Sequence, residues 1–103
     1  MFASGNEYAG ASGFPGAYSK CVTVSAVAAD FTPSSYTNFG TEVDVCAPGG
    51  DTEYYNAIGQ EDDEFWENNE VSGSILSTMI RNGSPAYGYM DGTSMACPHV
   101  SGV

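Results

Sequence analysis

From Cys21 to Val27 the chain reads Cys-Val-Thr-Val-Ser-Ala-Val, apolar positions alternating with small polar ones. That is the period of a strand with one covered face, so a half-buried strand is predicted there. A second strand is expected from Glu42 to Cys46, stopped by Pro48, Gly49 and Gly50, and a third over the apolar run Ile75 to Ile80. Arg81 to Pro85 then makes a turn, after which Tyr87, Tyr89 and Met90 lead into a glycine turn at Gly92. Asp30 to Gly40, with Pro33, is a polar loop. Tyr8 to Gly16 is rich in Gly, Ala and Ser and reads as a surface loop, with Phe14 pushed toward extended geometry by Pro15. A helix running through Met95 and Val100 completes the set. Strands followed by a helix of this kind predict an α/β protein with an open, mainly parallel sheet.

The chemistry concentrates at the start of that helix, in Asp91-Gly-Thr-Ser-Met-Ala-Cys-Pro-His-Val-Ser-Gly102. Gly92 allows a turn with positive φ, and Thr93 or Ser94 can cap the helix that follows. A serine there points at open space on the electropositive helix end, where unpaired N–H groups can stabilise an anion. Pro98 falls within about one turn of the start, where a missing N–H costs little. The only histidine, His99, is five residues on from Ser94. That is roughly 140° around the helix and about 7.5 Å along it. His99 is therefore read as a packing or hydrogen-bonding residue with its ring toward the body, and a base for Ser94 must come from elsewhere. Near the other end, Asn6 follows Gly5. Alone, Gly-Asn is a turn signal; with Ser94 downstream, the amide can serve as one of the two donors an acyl-transfer transition state needs.

These residues carry a family resemblance. Gly92 to Gly102 resembles the nucleophile motif of subtilisin-like serine proteases, and Ala3-Ser-Gly-Asn-Glu7 resembles the family's oxyanion-asparagine motif. Tyr36-Thr-Asn-Phe-Gly-Thr-Glu-Val-Asp-Val-Cys-Ala-Pro-Gly49 resembles the strand and turn before the nucleophile, and Phe14 to Tyr18 followed by Val22 to Ala26 also fits. The resemblance implies part of a three-layer subtilisin-like fold, with Ser94 as nucleophile and Asn6 in the oxyanion hole. Ala3, Ser4 and Gly5 would belong to the pocket for the substrate residue before the scissile bond. It further implies a weak cation site, for calcium or sodium, made of Glu42, Asp44 and backbone carbonyls of the Gly16 to Cys21 loop, Gly16, Tyr18 and Cys21 among them. Their oxygen ligands suit a hard cation. No organic cofactor is implied. Read from the residues alone, Glu42 and Asp44 share one face of a strand and are either solvated or joined by a cation.

The catalytic aspartate and histidine of the family lie outside the chain, which reads as a fragment of one catalytic domain, cut at both ends. A chain of 103 residues buries only about 60 to 65% of its unfolded surface. Thirteen acidic against two basic residues give a net charge of -11, which opposes binding to nucleic acid or an anionic membrane. There is no apolar run of transmembrane length. Low lysine content and the family both suit an extracellular protein. Eight of the thirteen acidic residues fall between Asp51 and Glu70, inside the stretch 50–73 that departs from the family pattern. That stretch is an acidic surface insertion, or else a calcium loop or selector for basic substrates anchored by Phe65 and Trp66. Cys21, Cys46 and Cys97 form no metal-binding spacing; they are small buried hydrophobes, or two of them pair.

Two functions of different class follow. One is a serine endopeptidase that uses Ser94 and Asn6 on a polypeptide substrate and needs the missing N-terminal part of the domain for turnover. The other is a protease-derived interaction or cation-binding module, in which uncovered strand edges favour self-association. A lipase-type nucleophile elbow is disfavoured, because Gly92 to Ala96 lacks the second glycine of that motif.

Overall fold

The computed structural model describes residues 1–52 and 73–103. Three strands, β1 (Phe2–Ala3), β2 (Thr23–Val27) and β3 (Val45–Pro48), form a parallel sheet with β2 in the middle. Val24 pairs with Ala3 on one side and with Val45 on the other. A helix, α1 (Thr93–Gly102), lies on this sheet and seals a small core of Val24, Ala26, Ala47 and Ala96, with Tyr36, Cys97 and Val100 packed around it. The class is α/β, as the pattern predicts. Ala96 is fully buried between helix and sheet, so the helix rests on a methyl group and its backbone comes close to the strands. No helix among the described residues is long and apolar enough to cross a membrane.

β2 begins two residues later than predicted, and both of its faces are covered: Thr23, Val24 and Ala26 have no exposed surface. A central parallel strand has neighbours on both faces, so its threonine and serine signal internal bonding rather than a wet face. Thr23 Oγ1 donates to the Gly16 carbonyl at 2.5 Å. β1 is too short to pair along all of β2. Beyond it, the loop takes over: Ala26 N–H donates to Thr37 Oγ1 (2.9 Å) and Ser34 N–H to the Ala26 carbonyl (3.0 Å).

β3 starts at Val45 rather than Glu42. Residues 41–44 turn instead, because the Asp44 side chain accepts the Thr23 N–H (2.8 Å) while its own N–H donates to the Thr23 carbonyl (3.0 Å). Glu42 and Asp44 thus precede the strand and share no strand face. Pro48 ends β3 opposite Val27. Gly49 follows where nothing larger fits, since a Cβ there would lie 2.5 Å from the Ala26 Cβ and 2.9 Å from the Gly92 carbonyl.

The predicted third strand exists as β4 (Ile75–Arg81), but it pairs antiparallel with β5 (Ser84–Met90) in a separate hairpin. Asn82 (φ 52°) and Gly83 (φ 76°) form its two-residue turn, the left-handed pair that an Asn-Gly hairpin loop requires. The segment expected to be a lead-in, Tyr87 to Met90, is therefore a strand, and it delivers the chain directly to Gly92.

Candidate active site

β5 ends at Met90, and the Gly92 N–H donates to the Gly49 carbonyl (2.9 Å), which fixes the turn before α1 to the end of β3. The helix starts at Thr93 with Gly92 as its cap residue and no side-chain cap from within the segment. The expectation that Thr93 or Ser94 caps it is corrected: the cap comes from the far end of the chain. Asn6 Oδ1 accepts both the Thr93 N–H (2.9 Å) and the Thr93 hydroxyl (2.8 Å), and that hydroxyl in turn accepts the Gly5 N–H (3.2 Å).

The remaining first-turn donors can be accounted for one by one. Met95 N–H bonds the Gly92 carbonyl at 2.9 Å. Ser94 N–H has no acceptor among the described residues, and neither does the exposed Ser94 hydroxyl have a partner among them. The Thr93 N–H is an obligate donor, so the Asn6 atom facing it is the carbonyl oxygen. The amide NH₂ must then point the other way. A Cβ placed on Gly92 would lie 3.5 Å from Asn6 Nδ2 and 3.8 Å from the Ser94 nitrogen. Glycine at this position leaves open the patch that the two N–H donors border.

Of the residues expected beside the site, Ala3 and Gly5 are half-buried, while Ser4 is buried, with its hydroxyl turned inward to the Asn38 carbonyl (3.3 Å). His99 is a hydrogen-bonding residue, with Nδ1 2.8 Å from the Met95 carbonyl, but its ring is exposed and does not enter the body. Pro98 is the sixth residue of α1, past the first turn; lacking an N–H, it leaves the Ser94 carbonyl without its usual helical donor. The three cysteines are unpaired, and Cys46 is exposed rather than buried. It faces outward because adjacent residues of a strand point to opposite faces and Ala47 is the one turned to the core.

A tyrosine and two acids that the sequence did not single out brace the site from behind. Tyr36 donates its hydroxyl proton to the carbonyls of Gly49 (2.9 Å) and Gly50 (2.7 Å). Burial pushes its pKa up, and the charges of Asp91 and Asp51 push in the same direction. Asp51 accepts the Ser35 N–H (2.5 Å), and Asp91 accepts the Thr52 N–H (3.0 Å). The rest of the acidic insertion, including Glu61 to Glu64, Phe65 and Trp66, lies outside the described residues.

Gly16, Tyr18, Cys21, Glu42 and Asp44 do come together. With Ala17, Ser19 and Thr41 they line a cavity of about 230 Å³. Glu42 Oε2 is buried beside Gly40 with no hydrogen-bond partner among the described residues. The Gly16 carbonyl already accepts from Thr23 and the Tyr18 carbonyl from Cys21 (2.8 Å), and each oxygen keeps a second lone pair. Among the described residues no cluster of three or more His, Cys, Asp or Glu side chains could hold a metal, so any ion here would depend on backbone oxygens.

A free Ser94 N–H and an outward Asn6 amide beside one bare glycine are the kind of donors that a serine acyl-transfer site would need. Comparison with known proteins points to the same class. The Subtilase family model matches residues 1–103, and the chain belongs to that family. It is 38% identical to halolysin of Haloferax mediterranei over 98% of this chain and 15% of that protein. It is 35% identical to an extracellular protease of Xanthomonas campestris over 100% of this chain and 15% of that one. Among solved structures, the epidermin leader peptide processing serine protease of Staphylococcus aureus superposes with a TM-score of 0.75 at 30% identity, covering 97% of this chain and 27% of that one. The chain thus spans well under a third of the relatives it matches.

Proposed function

We propose that this chain is the nucleophile-bearing part of a secreted serine endopeptidase, with Ser94 as nucleophile and Asn6 in the oxyanion hole. The observation that carries this reading is the orientation of Asn6: its carbonyl is held by Thr93, so its amide protons are free for a substrate oxygen. In the reaction, Ser94 Oγ bonds to the scissile carbonyl carbon and gives up its proton to a base. The carbonyl oxygen takes the negative charge between Asn6 Nδ2 and the Ser94 N–H. Collapse of that adduct breaks the C–N bond, and the amine leaves with the proton returned by the base; water then hydrolyses the acyl-enzyme by the same route. The base is a histidine, oriented by an aspartate, both outside this chain. His99 is occupied by the Met95 carbonyl. Secretion is supported by the extracellular Xanthomonas relative.

The test is complementation. The isolated chain is expected to show negligible turnover, while a verified folded complex with the aspartate- and histidine-bearing part of a subtilase domain cleaves peptides and is labelled on Ser94 by a serine-directed phosphonate. A second reading, an interaction module, is favoured by Leu76, Ile80, Tyr87 and Tyr89, which stay exposed on one face of the hairpin. A folded complex that neither cleaves nor labels would point to it.

We also propose a hard cation, calcium or sodium, at Glu42 and Asp44 with the carbonyls of Gly16, Tyr18 and Cys21. The buried, unpartnered Glu42 Oε2 supports it, since a carboxylate oxygen without a donor or cation is costly to bury. The ion would neutralise the two carboxylates and tie the Gly16 to Cys21 loop to the turn before β3. At ten times its Kd it would add about 1.4 kcal/mol of stability, read as a raised thermal midpoint that Glu42→Gln removes. A midpoint indifferent to millimolar calcium and to sodium would remove the proposal.

A further inference from the structure

β1 ends at Ala3, and Asn6 therefore sits on a segment that no sheet ladder positions. From the side facing α1, Thr93 holds the Asn6 carbonyl. From the opposite side Tyr36 and Phe39 each share one backbone bond with the segment (Tyr8 N–H to the Tyr36 carbonyl and Phe39 N–H to the Ala9 carbonyl, both 2.9 Å), and the buried residue between them, Asn38, 3% exposed, supplies the rest. Asn38 Oδ1 accepts the N–H groups of Glu7 and Ala9, both at 3.0 Å. Its Nδ2 donates to the Ser4 carbonyl (3.0 Å) and to Glu7 Oε2 (2.7 Å). Its backbone N–H adds a bond to the Gly5 carbonyl (3.0 Å). All four hydrogen-bonding positions of the side-chain amide are filled, and every partner lies within three residues of Asn6 while none is Asn6 itself.

We infer that Asn38 is a positioning residue for the oxyanion amide: it holds the Ser4 to Ala9 segment in the one curvature that presents Asn6 to the helix mouth. The inference rests on the oxyanion reading of Asn6. An amide is the side chain this role needs. It must accept two backbone protons on one side and donate two on the other, one of them to a carboxylate. Aspartate would supply the acceptors but set a second charge against Glu7, and leucine would fill the space while leaving the Glu7 and Ala9 N–H groups and Glu7 Oε2 without this partner, the Ser4 carbonyl keeping only the Ser12 hydroxyl. The segment is fitted closely around it: Gly5 has φ +109°, and a Cβ there would collide with Asn38 Nδ2. A displacement of Asn6 by even about 1 Å would matter, because groups aimed at a transition state lose on the order of 10²-fold in rate when misplaced that far.

The experiment uses the complete catalytic domain, with concentrations normalised by active-site titration. Asn38→Ala is expected to lower kcat by about 10- to 100-fold with KM little changed. In an Asn6→Ala background the same substitution should lower kcat by less than about twofold, since a residue that acts through Asn6 has nothing left to position. Losses that multiply, or an unchanged kcat in Asn38→Ala, overturn the inference. An unchanged kcat in Asn6→Ala alone overturns the oxyanion reading instead, so the two failures are separable. Asn38→Asp, which keeps both acceptor bonds, is the second variant should alanine fail to fold; wild-type kcat in it also overturns the role. Amide hydrogen exchange on the unmutated protein needs no variant: Glu7 and Ala9 N–H groups must be protected, and rapid exchange at both within a folded chain would sink the clamp.

Discussion

Ser94→Ala in the complete catalytic domain is expected to lower kcat by about 10⁶-fold, the scale of loss in subtilisin, a member of the same family. The fold should survive. Ser94 is exposed at the second position of α1, its hydroxyl holds no partner among the described residues, and alanine is the better helix former. Stability is therefore expected to change by no more than about 0.5 kcal/mol. The pair of measurements matters more than either one: turnover and phosphonate labelling vanish while the thermal midpoint stays. A variant that keeps turnover would remove Ser94 from the mechanism outright, and one that unfolds would show that the hydroxyl serves packing. Residual hydrolysis above the uncatalysed rate is compatible with the reading, because the N–H donors around Gly92 remain to polarise a bound carbonyl.

The hydroxyl and its helix were legible because their signals are local. Gly92 before Thr93 and Ser94 prescribes a turn into a helix, and Gly5 before Asn6 prescribes a loop that can turn an amide outward. What holds these groups in place was not legible, because it is made by residues far apart in sequence. Thr93 bonds Asn6 across 87 positions and Asn38 bonds Ser4 across 34; a lone polar residue in a loop has no period from which such a partner could be read. The alternation in β2 misled for a related reason. Its threonine and serine look like a wet face, yet Thr23 is bonded inward to Gly16. β5 was hidden by Pro85 and Gly88, which argue against a strand. In a two-stranded hairpin each strand is an edge, so Pro85 is tolerated beside the turn. Gly88 is where the Met79 side chain crosses, and a Cβ there would collide with the Met79 sulfur. The cation candidates were brought together through tertiary structure even though the strand expected to align them starts at Val45.

Asn6 caps the helix through Thr93 and is proposed to be the oxyanion donor as well, and two substitutions tell these roles apart. Asn6→Ala removes the outward donor and should lower kcat by about 10² to 10³-fold, again the scale in subtilisin, or roughly 3 to 4 kcal/mol of transition-state stabilisation. It also strips the Thr93 N–H of its acceptor, so the helix loses its cap and the domain about 0.5 to 2 kcal/mol of stability. Asn6→Asp retains an acceptor for both Thr93 protons and places a negative charge at a helix N-terminus, which favours folding. Stability should therefore return to the wild-type level. Turnover should not, because the second carboxylate oxygen replaces a proton donor and repels the charge developing on the substrate oxygen. The expected order is wild type, then alanine, then aspartate for kcat, against aspartate and wild type above alanine for the thermal midpoint. A single order shared by both measurements would mean that Asn6 only caps the helix, and an aspartate variant as fast as wild type would remove the amide from the oxyanion hole.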